Sequence, residues 1–174
     1  HPLLGGNDIR LIEPAEAALE EMLAAIQQAQ RHIHLTTYIF QDDFTGKRLM
    51  RLLIERAKAG VQVRVLYDGF GSAGPRLRGF FWRYRHIPNL QLVSFSQSNI
   101  LKQQFQLNLR NHRKLLIIDG RIGFTGGVNF HDVYLPQADG RPGIIAYHFA
   151  IRGPLVLEMQ YTFLRACFYL PARP

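Results

Sequence analysis

The chain has 174 residues, 47% of them hydrophobic, which gives room for one domain with a sizeable core. A formal charge of +8 and a pI near 10.1 favour an anionic partner, phospholipid or nucleic acid; the plainer alternative is a basic surface that only aids solubility. Cys167 is the only cysteine, which excludes an intramolecular disulfide and a thiolate metal cluster, and its neighbours Phe163, Leu164 and Phe168 make it a core residue. The first residue is His1 rather than Met, as expected of a trimmed or processed chain.

In chain order, Asn7 to Ile12 is expected to form a short opening strand. Glu13-Pro14 starts a helix through about Arg31, with Ala18, Met22, Ala25, Ile26 and Ala29 at helical spacing. Ile33 to Phe40 mixes β-branched and aromatic residues and reads as a strand. His32 and His34 alternate with apolar neighbours and share a side, but no third ligand accompanies them and no metal site is assigned. An amphipathic helix from Lys47 to Ala59 ends at Gly60, and Val61 to Tyr67 follows as a buried strand. This strand–helix–strand rhythm predicts an α/β fold: a mixed, largely parallel sheet with helices on both faces.

Gly69 to Pro88 is expected to be an amphipathic helix with Leu77, Phe80, Phe81 and Tyr84 inward and Arg76, Arg78, Arg83 and Arg85 solvated. Arginines beside aromatics also suit a lipid headgroup interface or a nucleic-acid backbone. Leu90 to Phe95 is another strand, and Ser96 to Arg110 a loop of the size that often carries function. Ile100, Leu101 and Phe105 in that loop are candidates for a lip that meets acyl chains. His131 to Gly143 is expected to be a second, mobile loop and Ile144 to Ile151 the last strand. Leu155 to Leu170 is interrupted by Glu158, Gln160 and Arg165, so it is a helix packed on the sheet, stopped by Pro171; no run suits a bilayer span.

Between the two loops lies the stretch that carries chemistry. His112 and Lys114 are two apart on an extended segment and leave the same face. Leu115 to Ile118 is a continuous apolar run, closed by Asp119-Gly120, and Ile122 to Thr125 leads into Gly126, Gly127 and Asn129. Imidazole can attack phosphorus or move a proton, and an ammonium offers three donors to the non-bridging oxygens. The Gly126 and Gly127 amides and the Asn129 carboxamide are further candidate donors to a phosphate ester. A buried strand with a satisfied His and a snorkelling Lys is the bland alternative for His112 and Lys114 alone; the whole ordered set is much harder to reach by chance.

His112, Lys114 and Asp119 with Gly126, Gly127 and Asn129 resemble the HxKxxxxD and GGxN signature of the phospholipase D superfamily without a mismatch. Tyr38-Ile39-Phe40 with Asp42 and Gly46, then Gly60 to Asp68, Gly71-Ser72, Arg113, Phe124-Thr125-Gly126-Gly127 and Gly153-Pro154, look like the bacterial cardiolipin synthase branch. The likeness runs over nearly the whole chain but only the N-terminal half of such an enzyme, so residues 1–174 are expected to be one phospholipase D-like domain carrying one of two motifs. It implies a pocket shared with a second half-domain, in the same polypeptide or a homodimer. One histidine, here His112, forms a phosphohistidine while the other protonates the leaving alcohol, with no cofactor or metal required. Lys114 and Asn129 would bind phosphate oxygens. Asp119 belongs to the catalytic signature but is more plausibly a brace at the strand end than a proton carrier. The donor would be phosphatidylglycerol, the partner an anionic phospholipid at a membrane surface, and the place the cytoplasmic face of the bacterial inner membrane.

Two departures accompany the likeness. Thr36 stands where many relatives have glutamate, and Ala146 where an aspartate usually holds the catalytic histidine, unless Asp132, Asp139 or the other half compensates. Two alternatives therefore stay open: a nuclease active as a symmetric dimer, and a non-catalytic anion- or membrane-binding half-domain.

Overall fold

The computed structural model describes residues 5–95 and 111–168. Seven strands form one sheet: β1 (Asp8–Ile12), β2 (His32–Thr37), β3 (Gln62–Tyr67), β4 (Leu90–Ser94), β5 (Leu115–Ile118), β6 (Ile122–Gly126) and β7 (His148–Arg152). Their order across the sheet is β1-β7-β6-β5-β2-β3-β4. The helices are α1 (Ala15–Gln27), α2 (Phe44–Lys58), α3 (Ala73–Leu77) and α4 (Leu155–Phe168). The expected mixed α/β class is what the chain adopts, but parallel pairing is the minority. Only β2–β3 and β3–β4 run parallel; the other four pairings are antiparallel. The two parallel pairs are the ones joined by crossovers, β2 to β3 through α2 and β3 to β4 through residues 68–89. Between β5 and β6 the chain folds back through Asp119 and Gly120, both at positive φ, and a turn that short permits only antiparallel strands.

Alternation along the strands divides the core in two. Ile33 and Leu35 of β2, Val63 and Val65 of β3, and Leu116 and Ile118 of β5 meet α1 and α2 through Leu19, Met22, Ile26, Leu49 and Leu53. Leu66, Ile117 and Ile151 face the other way and are covered by Val156, Met159 and Phe163 of α4. His34 also takes this second face, its ring stacked 4.5 Å from Phe163. Helices thus cover both faces, and the apolar run of β5 is spent equally on the two layers.

Several element ends differ from expectation for identifiable reasons. α1 stops at Gln27, short of Arg31. α2 starts at Phe44 because two carboxylates cap it: Asp43 accepts from the Gly46 amide, and Asp132 from those of Phe44 and Thr45. Gly60, at φ +92, does end α2 by donating to the Ala57 carbonyl. The segment expected to be one helix over Gly69 to Pro88 is instead α3, a break at Gly79 (φ +72) and a 3₁₀ turn at Trp82–Tyr84. Phe80 and Phe81 are buried as expected, Phe81 stacked 3.9 Å from Tyr67, but the break turns Leu77 out to solvent. The 131–143 loop is partly ordered: a 3₁₀ turn at Asp132–Tyr134 is tied to α2 by Asp132 and by the Asp132 amide donating to Asp43. β7 begins only at His148. The expected loop over Ser96 to Arg110, with Ile100, Leu101 and Phe105, lies outside the described residues.

Candidate active site

His112 and Lys114 sit where the C-terminal ends of β2 and β3 meet the N-terminal ends of β5 and β7. The segment that brings them there is held by Asp68, just past β3. One oxygen of its buried carboxylate accepts the Phe70 and Gly71 amides, and the other accepts the Asn111 amide, one residue before the motif. His112 is exposed, and its ring leans on Tyr38 with centroids 4.6 Å apart. Lys114 is only 8% exposed. Its Nζ donates to the His112 carbonyl at 2.9 Å, lies 3.3 Å from His112 Nδ1 and stands 5.6 Å above the Tyr38 ring. Burial lowers the Lys114 pKa, since the ammonium has given up most of its water. An accessible imidazole beside a desolvated cation is chemically suited to an anion, which supplies the charge the ammonium lacks.

The two glycines do something other than expected. A Cβ on Gly126 (φ +151) would come within 2.4 Å of the Tyr147 carbonyl and 2.9 Å of His148 Nδ1, so glycine admits β7 rather than a ligand. The Gly127 amide, expected to face a phosphate, donates to the Tyr147 carbonyl at 2.8 Å and is used up within the fold. Asn129 is buried; its Oδ1 accepts from the Ile39 amide and its Nδ2 donates to the Tyr134 hydroxyl at 3.0 Å, leaving one amide hydrogen uncommitted.

His148 was missed in the sequence. It is 1% exposed, and its Nδ1 accepts from the Val128 amide at 3.3 Å. Burial, helped by the nearby Lys114 charge, pushes its pKa down to about 4. The ring therefore stays neutral, fixes the 126–129 turn and leaves Lys114 as the positive charge there. Register against Gly126 is the signal that would have found it, and register is not visible in one sequence.

Asp119 is not brought to His112 and Lys114. It lies at the far end of β5, roughly 15 Å from Lys114 at strand rise. Its carboxylate accepts the Gln30, Arg31 and His32 amides. Burial alone would raise its pKa, but those three donors outweigh burial and hold it below the usual carboxylate range. Ala146 lies against Gly127, and Thr36 Oγ1 is buried without a partner among the described residues. Neither proposed substitute for the missing acid reaches the site: Asp132 caps α2, and Asp139 pairs with Arg141. Among the described residues no carboxylate bonds the His112 ring, and no group of three or more His, Cys, Asp or Glu could hold a metal ion.

A family model described as "Cardiolipin synthase, PLD-like domain" matches residues 22–138. The chain belongs to this family. A cardiolipin synthase of Geobacillus kaustophilus is 33% identical over 174 residues, covering 98% of this chain and 34% of that protein. Cardiolipin synthase A of Pseudomonas aeruginosa is 38% identical over 165 residues, covering 93% of this chain and 33% of its own length. The chain thus spans about a third of the length of the curated relatives it matches. Among solved structures, NucT from Helicobacter pylori superposes with a TM-score of 0.68 at 16% identity, covering 94% of this chain and 96% of its own. Phosphatidylserine synthase from Haemophilus influenzae gives 0.64 at 15% identity, over 90% of this chain and 36% of the other. Both share the fold of this phospholipase D-like domain.

Proposed function

We propose that this domain supplies one half of the catalytic pocket of a cardiolipin synthase-type phosphatidyltransferase. The observation that carries the reading is the pairing of an exposed His112 imidazole with a buried Lys114 ammonium 3.3 Å from it, at one open end of the sheet. Nε2 of His112 attacks the phosphorus of phosphatidylglycerol, and the bond to the glycerol oxygen breaks as a histidine of the second half-domain protonates that oxygen. The same second histidine then takes a proton from the hydroxyl of another phosphatidylglycerol, whose oxygen displaces His112 to give cardiolipin. Lys114 serves the non-bridging oxygens, and Asn129 adds its uncommitted amide hydrogen. In the free chain the ammonium bonds Nδ1, so arriving phosphate must draw it away before Nδ1 can hold the ring proton. Asp119 braces the strand and moves no proton. The setting is the cytoplasmic face of a bacterial inner membrane, with the domain peripheral to it.

The test is transfer of labelled phosphatidylglycerol to cardiolipin by the full polypeptide, with glycerol released. An acid-labile phosphoprotein should accumulate in wild type and not in His112→Ala. Accumulation in the variant would move the nucleophile elsewhere. Because the chain carries a single HxKxxxxD, a second reading pairs two copies as a phosphodiesterase. Cleavage of DNA by the isolated chain, without transfer to lipid, would favour it.

A further inference from the structure

The charge of the chain is not spread over it. Between Gly69 and Ile118 there are eight Lys and Arg and no Asp or Glu, so the formal +8 of the whole chain is the charge of this stretch; elsewhere the signs balance. Its described part contains the segment whose helical break was unforeseen. Leu77 is 80% exposed, Phe70 64% and Trp82 63%, among the most exposed large apolar side chains described. Interleaved with them are Arg76, Arg83 and Arg85, all exposed, with Arg85 stacked 4.1 Å over Trp82. Arg78 reaches Asp42 at 3.8 Å, but among the described residues no carboxylate pairs with the other three. The segment is rigidly based, because Pro75, Phe80 and Phe81 are buried beneath it. It also begins at the candidate site: Asp68 holds the Phe70, Gly71 and Asn111 amides together, and Gly71 lies so close to Tyr38 that a Cβ would meet the Tyr38 carbonyl at 2.4 Å.

We propose that the exposed face of residues 70–85 is a docking surface for an anionic lipid bilayer, placed to bring the His112 end of the sheet against the headgroups. Two features decide the partner. Unpaired arginines seek a polyanion, and an indole beside guanidinium groups suits the headgroup level of a membrane. A nucleic acid offers phosphates but little reward for covering Leu77 and Phe70, whereas a bilayer takes both. A second copy of the chain would bring like charge to like charge. The surface borrows its purpose from the lipid-substrate reading but not its geometry, so binding tests it independently of catalysis.

Trp82 is the only tryptophan in the chain and reports on the surface directly. Its emission should shift to the blue on addition of vesicles containing phosphatidylglycerol and be quenched by brominated acyl chains, with no change on pure phosphatidylcholine. Replacing Arg76, Arg83 and Arg85 together by Gln should weaken vesicle binding about a hundredfold. Leu77→Asp should weaken it about tenfold and, at an exposed position, leave the thermal melt unchanged. His112→Ala should bind as wild type, which separates docking from chemistry. Unshifted Trp82 emission from protein that sediments with the vesicles would overturn the proposal, as would equal binding to neutral vesicles. Unchanged affinity in Leu77→Asp would also overturn it, and so would tighter binding to duplex DNA than to the vesicles.

Discussion

In the proposed reading Lys114 is costly to the fold and needed by the site. A buried ammonium with its pKa lowered by burial is a debit until an anion arrives. Lys114→Met should therefore leave the domain as stable or more so in a urea titration, while transfer activity falls about 10²–10³-fold. Loss of stability without loss of activity would reverse the assignment. Asp119 is the opposite case. Removing its three amide contacts by Asp119→Ala should cost about 2 kcal/mol in unfolding free energy. Because its folded pKa is depressed, that contribution is whole above the unfolded carboxylate value and fades as pH falls through the folded one. At neutral pH the urea midpoint should drop, with the rate per folded molecule little changed.

At the scale of elements, what the sequence made legible follows from periodicity. β2, β3, β5 and β6, the helix ending at Gly60 and the helix after Pro154 were readable because apolar spacing alone sets them. What escaped depends on partners distant along the chain. The early start of α2 needs Asp132, and the antiparallel placing of β7 against β1 is chosen by pairing. The motif residues could be named but not their roles, since only β7 reveals that the Gly127 amide is occupied. His148 on β7 and His34 on β2 make a pH prediction. Burial pushes both to about 4, so both are neutral in the fold while the unfolded chain binds protons below its ordinary value of 6.5. Stability should be full above about pH 6.5 and decline toward pH 4, by on the order of 2 kcal/mol for His148. Denaturation midpoints at pH 7 and pH 5 measure this, and His148→Gln should flatten the difference.

For the molecule as a whole, the candidate site occupies one end of the sheet, where His112 is exposed. In the half-pocket reading, mixing an inactive His112→Ala polypeptide with one lacking its second histidine should restore no activity unless halves exchange between chains. Restoration, read as cardiolipin formed over time, would show pairing in trans. No helix among the described residues is long and apolar enough to cross a membrane.

The spacing of the signature takes on a mechanical meaning here. Four strand residues separate Lys114 from Asp119, and they are just the ones that traverse β5 from the candidate site to the brace beside β2. The interval acts as a ruler. Deleting one residue from it would exchange Leu116 and Ile118 for Ile117 between the two layers and swing Lys114 to the opposite side. Substitutions within the interval that keep size and apolarity should be absorbed, whereas any change in its length should not.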